Sequence, residues 1–347
     1  MPDADGLGEA LRAFLAERVG EPGLRLECLR RSVEGFSWET YVVGVAWDAG
    51  GAVRRRRLVV HREPAAGLLR PYRAATQFAL RRAVEGIDGV PVPRTLWLDE
   101  HGEATGRPLY VVERVAGEVP TQWTSDRAFA GATQRAAVAR ELMRIAAALH
   151  AAPPAVAPPG LRGAQDPDPI AEVRHWHAIY TGEGLEPVPI LDWGFAWLLA
   201  HADHVSGRRA VLHGDLRTGN YLLHDGRIAA VLDWEEAHVG DPVQDLAHCA
   251  LRLFRGRTRL PSGLVELPEL LARYEEAAGW AVPPRAFHFW SVHESVYTAV
   301  TMVRAAAIFA AGETHDVRYA ALGYQSHHGL RHVLDYLEAA RAGGPPR

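Results

Sequence analysis

The sequence predicts an α+β chain in two parts, a strand-rich first third followed by a mostly helical remainder. Short apolar runs of strand length, bounded by glycines, fill the stretch up to Val115. From residue 133 onward the apolar positions recur at helical spacing instead. Asp225-Gly226, set between the apolar runs 221–223 and 228–232, adds one antiparallel hairpin inside the helical part. A chain of 347 residues, 48% hydrophobic, exceeds what one core usually holds, so we expect two lobes, 1–115 and 116–347.

Composition narrows the functional class. The formal charge of −4 leaves no basic footprint for nucleic acid, and the basic run at Arg54, Arg55, Arg56 and Arg57 reads as a solvated hairpin turn at a strand start. Cys28 and Cys249 are the two cysteines, too few for a disulfide scaffold and without zinc-ligand spacing. No apolar run approaches the roughly 18 residues of a membrane span, and the opening Met-Pro-Asp-Ala-Asp-Gly lacks the basic-then-apolar order of a signal peptide. The expectation is a cytoplasmic protein that binds neither membrane nor nucleic acid. The sequence contains no lysine, so its 38 basic residues are all arginine and any lysine-dependent step is excluded.

Residues 9–19 carry Ala10, Leu11, Phe14, Leu15 and Ala16 on one helical face, ended by Gly20. Residues 24–30 and 39–47 read as strands around Ser32-Val-Glu-Gly-Phe-Ser-Trp38, and 57–64 as a third strand containing His61 and Arg62. A helix follows over about 72–84, then strands over 90–98 and 109–115, with Gly102 and Gly117 as punctuation. Residues 133–151 form a long helical pattern suited to the centre of the second lobe. Prolines between 153 and 160 stop it. Segments 172–180 and 191–204 bring Trp176, Tyr180, Trp193, Phe195 and Trp197 with His175 and His177, either as core or as pocket wall. The tail is helical over 269–278, 287–311 and 319–340.

The chemistry concentrates in Val211-Leu-His-Gly-Asp-Leu-Arg-Thr-Gly-Asn220 and the hairpin after it. With the turn at Asp225-Gly226, an unbroken ladder sets Asn220 opposite Val231, and Asp233 one pleat further on the same face. An amide oxygen and a carboxylate converging beside Asp215 make a hard-oxygen site suited to Mg²⁺ carrying a nucleotide phosphate. Asp215, beside that metal rather than on it, is free to take a proton from an attacking hydroxyl.

His213-Gly-Asp-x-x-x-x-Asn220, then Leu232-Asp-Trp-Glu235, then Gly240-Asp-Pro-Val-Gln-Asp-Leu-Ala247 resemble the aminoglycoside phosphotransferase family, and within it the kinase domains associated with acyl-CoA dehydrogenases. The layout is similar to the protein kinase catalytic loop and its metal-binding aspartate. The resemblance implies a two-lobed protein-kinase-like fold, with an antiparallel-sheet small lobe and a mostly helical large lobe meeting at a cleft. It implies Asp215 as base, Asn220 and Asp233 as magnesium ligands, and ATP as phosphoryl donor. Gly35, Phe36 and Ser37 fall where such folds cover the nucleotide phosphates with a loop, and the Glu113 carbonyl and Val115 N–H where adenine is held. The place of the phosphate-pairing cation on the third strand holds His61, where the resembling subgroup has arginine, with Arg62 one step on. Its acidic partner on the following helix is replaced by Gln77, so a His61–Gln77 hydrogen bond is expected.

Asp241 before Pro242 reads as a helix start, and the resemblance to kinase-like folds implies Asp245, early in that helix, as the acceptor that steadies the catalytic loop through its backbone N–H groups. His213 reads as a packed loop anchor. Arg217 either offsets phosphate charge or pairs with a neighbouring carboxylate. The expected activity is ATP- and Mg²⁺-dependent phosphorylation of an alcohol on a small molecule. A hydroxyacyl-CoA or similar metabolite is the favoured acceptor, and an aminoglycoside or other natural product the alternative. A catalytically inactive nucleotide-binding module is the rival, motivated by His61 and Gln77. A protein kinase is disfavoured because the loop from Asp233 to Asp241 leaves no room for a long activation segment.

Overall fold

The computed structural model describes residues 4–32, 37–65, 67–121, 129 and 131–341. The chain divides into two compact units, Met1–Glu85 with Pro93–Val115, and Gly86–Val92 with Ala116–Arg347.

In the first unit, helix α1 (Ala4–Val19) precedes β1 (Arg25–Arg31), β2 (Glu39–Ala49) and β3 (Ala52–Arg62), and helix α2 (Ala74–Val84) precedes β4 (Thr95–Asp99) and β5 (Leu109–Glu113). The five strands form one antiparallel sheet in the order β1-β2-β3-β5-β4. Strand alternation sorts the side chains between two faces. Val43, Val45, Leu58, Val60, Leu109 and Val111 pack with Leu11, Phe14 and Leu15 of α1. On the other face Val59, Tyr110 and Val112 pack with Ala74 and Phe78 of α2. Leu11 and Leu15 are fully buried, each contributing about 2 kcal/mol by area.

Two sequence expectations are corrected here. Ala49 pairs with Ala52, so the turn is Gly50-Gly51, whose φ values of 59° and 86° suit a two-residue hairpin connection. The arginine run therefore lies within β3 rather than in the turn, and Arg55 and Arg56 pair with Glu27 and Glu113. The strand expected over 90–98 begins only at Thr95. Pro91 and Pro93 have no N–H for a ladder, and the Pro91 carbonyl instead accepts from the Val231 N–H, both residues belonging to the second unit.

The second unit holds α3 (Ala132–Ala151), α4 (Ala171–Gly182), α5 (Pro189–Ala200), β6 (Ala210–Leu212), β7 (Tyr221–His224), β8 (Arg227–Val231), β9 (His238–Gly240), α6 (Val243–Ala250), α7 (Leu267–Ala278), α8 (Pro284–Ala310), α9 (Val317–Tyr324) and α10 (Ser326–Arg341). The β7–β8 hairpin turns at Asp225-Gly226 as the sequence predicts. The short β6–β9 pair was not legible, because three-residue strands carry no period. The helix expected over 319–340 is two helices meeting at Gln325. Among the described residues, no helix is long and apolar enough to cross a membrane.

Candidate active site

The loop from His213 to Asn220 joins β6 to β7 and is held from below by α6. Asp245, fully buried in the first turn of α6, accepts the His213 N–H at 2.9 Å and the Gly214 N–H at 2.8 Å. His150 Nε2 lies 3.1 Å from the same carboxylate, and His150 Nδ1 lies 2.8 Å from the Tyr274 hydroxyl. Burial pushes the Asp245 carboxyl up, but His150, His213 and the loop N–H groups outweigh it and hold the pKa down to about 2. Gly214 has φ 82°, and a Cβ there would run into the Glu236 backbone carbonyl, so the sharp turn before Asp215 requires glycine.

His213 is a loop anchor. Its Nε2 donates to the Leu232 carbonyl at 2.7 Å, its Nδ1 accepts the Asp215 N–H at 3.2 Å, and the ring packs on Trp234. Burial lowers its pKa first, and the one-donor, one-acceptor pattern is that of a neutral ring.

Asp215 sits in a dense hydrogen-bond shell. Arg217 Nε donates to Oδ1 at 2.7 Å and Arg217 Nη2 to Oδ2 at 3.2 Å. Asn220 Nδ2 donates to Oδ2 at 2.6 Å and to the Asp215 carbonyl at 2.8 Å. His248 Nε2, from α6, lies 2.6 Å from Oδ1. Burial would raise the Asp215 carboxyl, yet Arg217, then His248, hold it well below the usual carboxylate range. Of the two roles open for Arg217, pairing with a neighbouring carboxylate is the one observed, with its guanidinium stacked 4.3 Å over Phe254.

The hairpin register corrects the sequence expectation for the metal site. Tyr221, not Asn220, lies opposite Val231, because a bulge between Leu222 and Leu223 inserts an extra residue on β8. Asn220 instead faces Leu232, whose N–H donates to the Asn220 carbonyl at 2.8 Å. Asp233 therefore follows a residue gripped at both backbone groups, by Asn220 and by His213. Its backbone is left-handed, φ 61° and ψ 61°, so it does not continue the strand pleat. Because the Asn220 amide nitrogen is spent on Asp215, its oxygen faces away from that carboxylate. Asn220 and Asp233 are hard-oxygen donors, which fits Mg²⁺, an ion that takes few protein ligands and fills its octahedron with phosphate oxygens and water. Among the described residues no cluster of three His, Cys, Asp or Glu side chains offers a fuller metal cage.

In the first unit, His61 and Arg62 point to opposite faces, since β2 and β3 pair without a bulge. Arg62 is engaged with Glu39 at 3.3 Å and with the Thr105 carbonyl at 2.6 Å. The expected His61–Gln77 bond is replaced by His61 Nδ1 to Thr40 Oγ1 at 3.2 Å, because Thr40 lies directly across from His61 in the ladder. His61 also stacks on Tyr110, and burial, then the Arg81 charge, keep its ring neutral. Gln77 is buried on α2. One turn on, Arg81 is 3% exposed and lies over the Tyr110 ring; its Nε has no hydrogen-bond partner and no carboxylate pairs with it among the described residues. The Glu113 N–H goes to the Arg94 carbonyl, and the Val115 N–H has no acceptor among the described residues. Ser37 lies two residues before β2. Gly35 and Phe36 lie outside the described residues.

Tyr180 and Phe195 stack on each other in the interior, so these aromatics are core. Trp176 differs: its indole N–H donates to Glu172 at 2.8 Å and its ring meets Tyr297 of α8 at 4.5 Å. Arg162 joins Glu172 at 2.9 Å and Glu236 at 3.1 Å. Burial pushes Glu172 up, but Arg162 and neighbouring histidines bring it down to about 2, whereas burial leaves Glu236 raised. Burial, then the Glu236, Asp215, Glu294 and Glu235 carboxylates, push the Tyr297 hydroxyl well above its ordinary range, which places a protonated hydroxyl among acids near Asp215. Sequence reasoning missed His248, Glu294, Arg81 and Tyr297. Glu294 and Tyr297 sit mid-helix and Arg81 and His248 in the last turns of theirs, none within a local motif that marks it.

The pattern of the APH phosphotransferase enzyme family matches residues 33–288. The rat (Rattus norvegicus) acyl-CoA dehydrogenase family member 11 is 27% identical over 205 residues, covering 58% of this chain and 26% of that protein. The chain thus spans about a quarter of that relative's length. Viomycin phosphotransferase of Streptomyces vinaceus is 32% identical over 213 residues, 58% of this chain and 65% of that one. A solved Ralstonia eutropha JMP134 structure assigned to the aminoglycoside phosphotransferases superposes with TM-score 0.72 at 23% identity, covering 95% of this chain and 98% of its own. The aminoglycoside phosphotransferase APH(4)-Ia, solved as a ternary complex with ADP and hygromycin B, gives 0.58 at 17% identity over 93% and 98%. The fold is the two-lobed, kinase-like α+β fold, and with three quarters of its length matched the chain belongs to the APH phosphotransferase enzyme family, enzymes that transfer phosphate to hydroxyl groups of small molecules.

Proposed function

We propose that this protein uses ATP and Mg²⁺ to phosphorylate an alcohol on a small molecule, with a hydroxyacyl-CoA or similar hydroxylated acyl metabolite as acceptor. The observation that carries the reading is the Asp215 carboxylate, fixed beside the Asn220 amide in a loop whose backbone is pinned by Asp245. In this reading residues 1–115 bind nucleotide and 116–347 supply the base and the acceptor pocket. The setting is cytoplasmic.

Asp215 orients the acceptor hydroxyl and takes its proton as the oxygen attacks the γ-phosphorus. The new P–O bond forms, the bond to the β-phosphate oxygen breaks, and ADP leaves. Asn220 and Asp233 would hold magnesium, which supplies positive charge to the β- and γ-phosphate oxygens when bound. The Glu113 carbonyl and Val115 N–H pair with adenine, and the loop with Gly35, Phe36 and Ser37 covers the phosphates. Arg62 is committed to Glu39 and His61 is neutral, so we assign the phosphate-facing cation to Arg81, a buried guanidinium that has no carboxylate partner among the described residues. A buried charge without a counter-ion is costly, and a bound phosphate relieves that cost. Arg217 guards Asp215 in the resting state.

The likeness to acyl-CoA dehydrogenase family members 10 and 11 supports an acyl acceptor. A second reading, a cationic natural product, is favoured by the likeness to viomycin phosphotransferase and by Glu235, Glu236 and Glu294 around Tyr297. A screen of pooled hydroxylated metabolites, read by the mass gain of one phosphate, separates the two. Activity on kanamycin-like polycations with none on hydroxyacyl-CoA or hydroxy acids would reverse the order.

A further inference from the structure

The Asp215 carboxylate offers about four lone-pair positions, and protein donors occupy all of them. Oδ1 receives Arg217 Nε at 2.7 Å and His248 Nε2 at 2.6 Å; Oδ2 receives Asn220 Nδ2 at 2.6 Å and Arg217 Nη2 at 3.2 Å. Of these donors, His248 alone is anchored by a second carboxylate. Its Nδ1 lies 2.6 Å from Glu294 Oε2, and the other Glu294 oxygen lies 2.8 Å from His293 Nδ1, so Glu294 is fixed at both ends.

Both ring nitrogens of His248 therefore face a carboxylate oxygen at 2.6 Å. A neutral imidazole donates from one nitrogen and would set its other lone pair against an oxygen lone pair. Only the imidazolium donates from both. The ring is 2% exposed and Glu294 1%, so no bulk water relieves the mismatch. Asp215 and His213 face the ring from the catalytic loop, Glu294 and Tyr297 from α8, and Phe254 packs at 4.9 Å from the turn after α6. Burial opposes the charged ring, but the bonds to Asp215 and Glu294 outweigh it and raise its pKa to about 9.

We propose that His248 is a resident imidazolium that positions the base, donating Nε2–H to Asp215 Oδ1 and Nδ1–H to Glu294. This rests on the reading of Asp215 as base. With Oδ1 held from two sides, the longest contact on the carboxylate is Arg217 Nη2 to Oδ2, so Oδ2 is the oxygen at which an acceptor hydroxyl enters. When Arg217 yields to substrate, His248 keeps the carboxylate ionised and prevents it from rotating. Glu294 preserves the charge of the ring through the reaction.

The test uses the full chain, labelled with ¹⁵N-histidine, in its resting state. At pH 7.5 one ring should carry protons on both nitrogens, vanish in His248→Gln, and titrate near pH 9 in the wild type. Glu294→Gln should lower that titration by a unit or more. With Mg·ATP as substrate and water as acceptor, both variants should lose about tenfold in kcat while KM for ATP stays within twofold. A singly protonated His248 at pH 7.5, or wild-type kcat in both variants, overturns the proposal. The ring signal needs no acceptor and no catalysis, so it fails or holds independently of whether Asp215 is the base, which Asp215→Asn tests.

Discussion

Asp245→Asn is the perturbation whose cost the structure specifies best. The carboxylate accepts two backbone N–H groups, from His213 and Gly214, and faces His150 at 3.1 Å in a fully buried setting. The amide keeps one acceptor oxygen and turns an NH₂ toward the other donors, so one loop N–H loses its partner, at about 1–3 kcal/mol, and the charge-assisted bond to His150 weakens. The depressed pKa gives an independent figure. A folded value of about 2 against an ordinary value near 3.8 corresponds to roughly 2 kcal/mol of stability at neutral pH. Because the folded pKa is the lower one, that stability is complete above about pH 5 and is lost as pH falls through 3.8 toward 2, with about half gone at pH 3. Urea unfolding followed by tryptophan fluorescence should show the variant about 2–3 kcal/mol less stable at pH 7, with the gap to wild type narrowing at pH 3. Amide exchange at His213 and Gly214 should accelerate in step. A variant within 0.5 kcal/mol of wild type at pH 7, or an undiminished gap at pH 3, would show that Asp245 does not hold the loop as an ionised acceptor.

Asp215→Asn keeps the shape of the base but not its proton affinity, so turnover should fall by about a hundredfold or more with ATP binding retained; near-normal turnover would refute the role. Asp233→Ala should remove a charged magnesium ligand and damage both nucleotide binding and turnover, whereas Asn220→Ala should leave a weaker site, and magnesium titrations unchanged in both would contradict the assignment. Arg81→Gln should weaken ATP binding about tenfold by calorimetry and leave adenosine binding unchanged. Equal loss for both ligands would move Arg81 from the phosphates to the structure of the lobe.

Local chemistry made a good part of this protein legible. The Asp225-Gly226 turn requires only its own backbone freedom and the flanking apolar runs, and it lies where the sequence puts it. The amphipathic pattern of α1 and the length of α3 survive because burying one face is a property of spacing. Asp245 was legible through the kinase-like resemblance, in which an aspartate early in this helix accepts the N–H groups of the catalytic loop, and it accepts those of His213 and Gly214.

The rest depended on contacts distant in sequence. A single bulge on β8 moved Asn220 from Val231 to Leu232, a shift no residue pattern announces because it depends on how the hairpin meets its neighbours. His61 found Thr40 rather than Gln77 because ladder register overrides a guess drawn from resemblance. His248 and Glu294, 46 positions apart, meet only when α6 crosses α8, and their charges have meaning only together and with Asp215. The sequence by itself determined the class of fold, the catalytic loop and the family likeness, since these reside in local spacing and short motifs. Tertiary structure decided which donors surround the base, which face each arginine takes and where the buried cation lies, because electrostatic partners are chosen by distance in space and burial rather than by order along the chain.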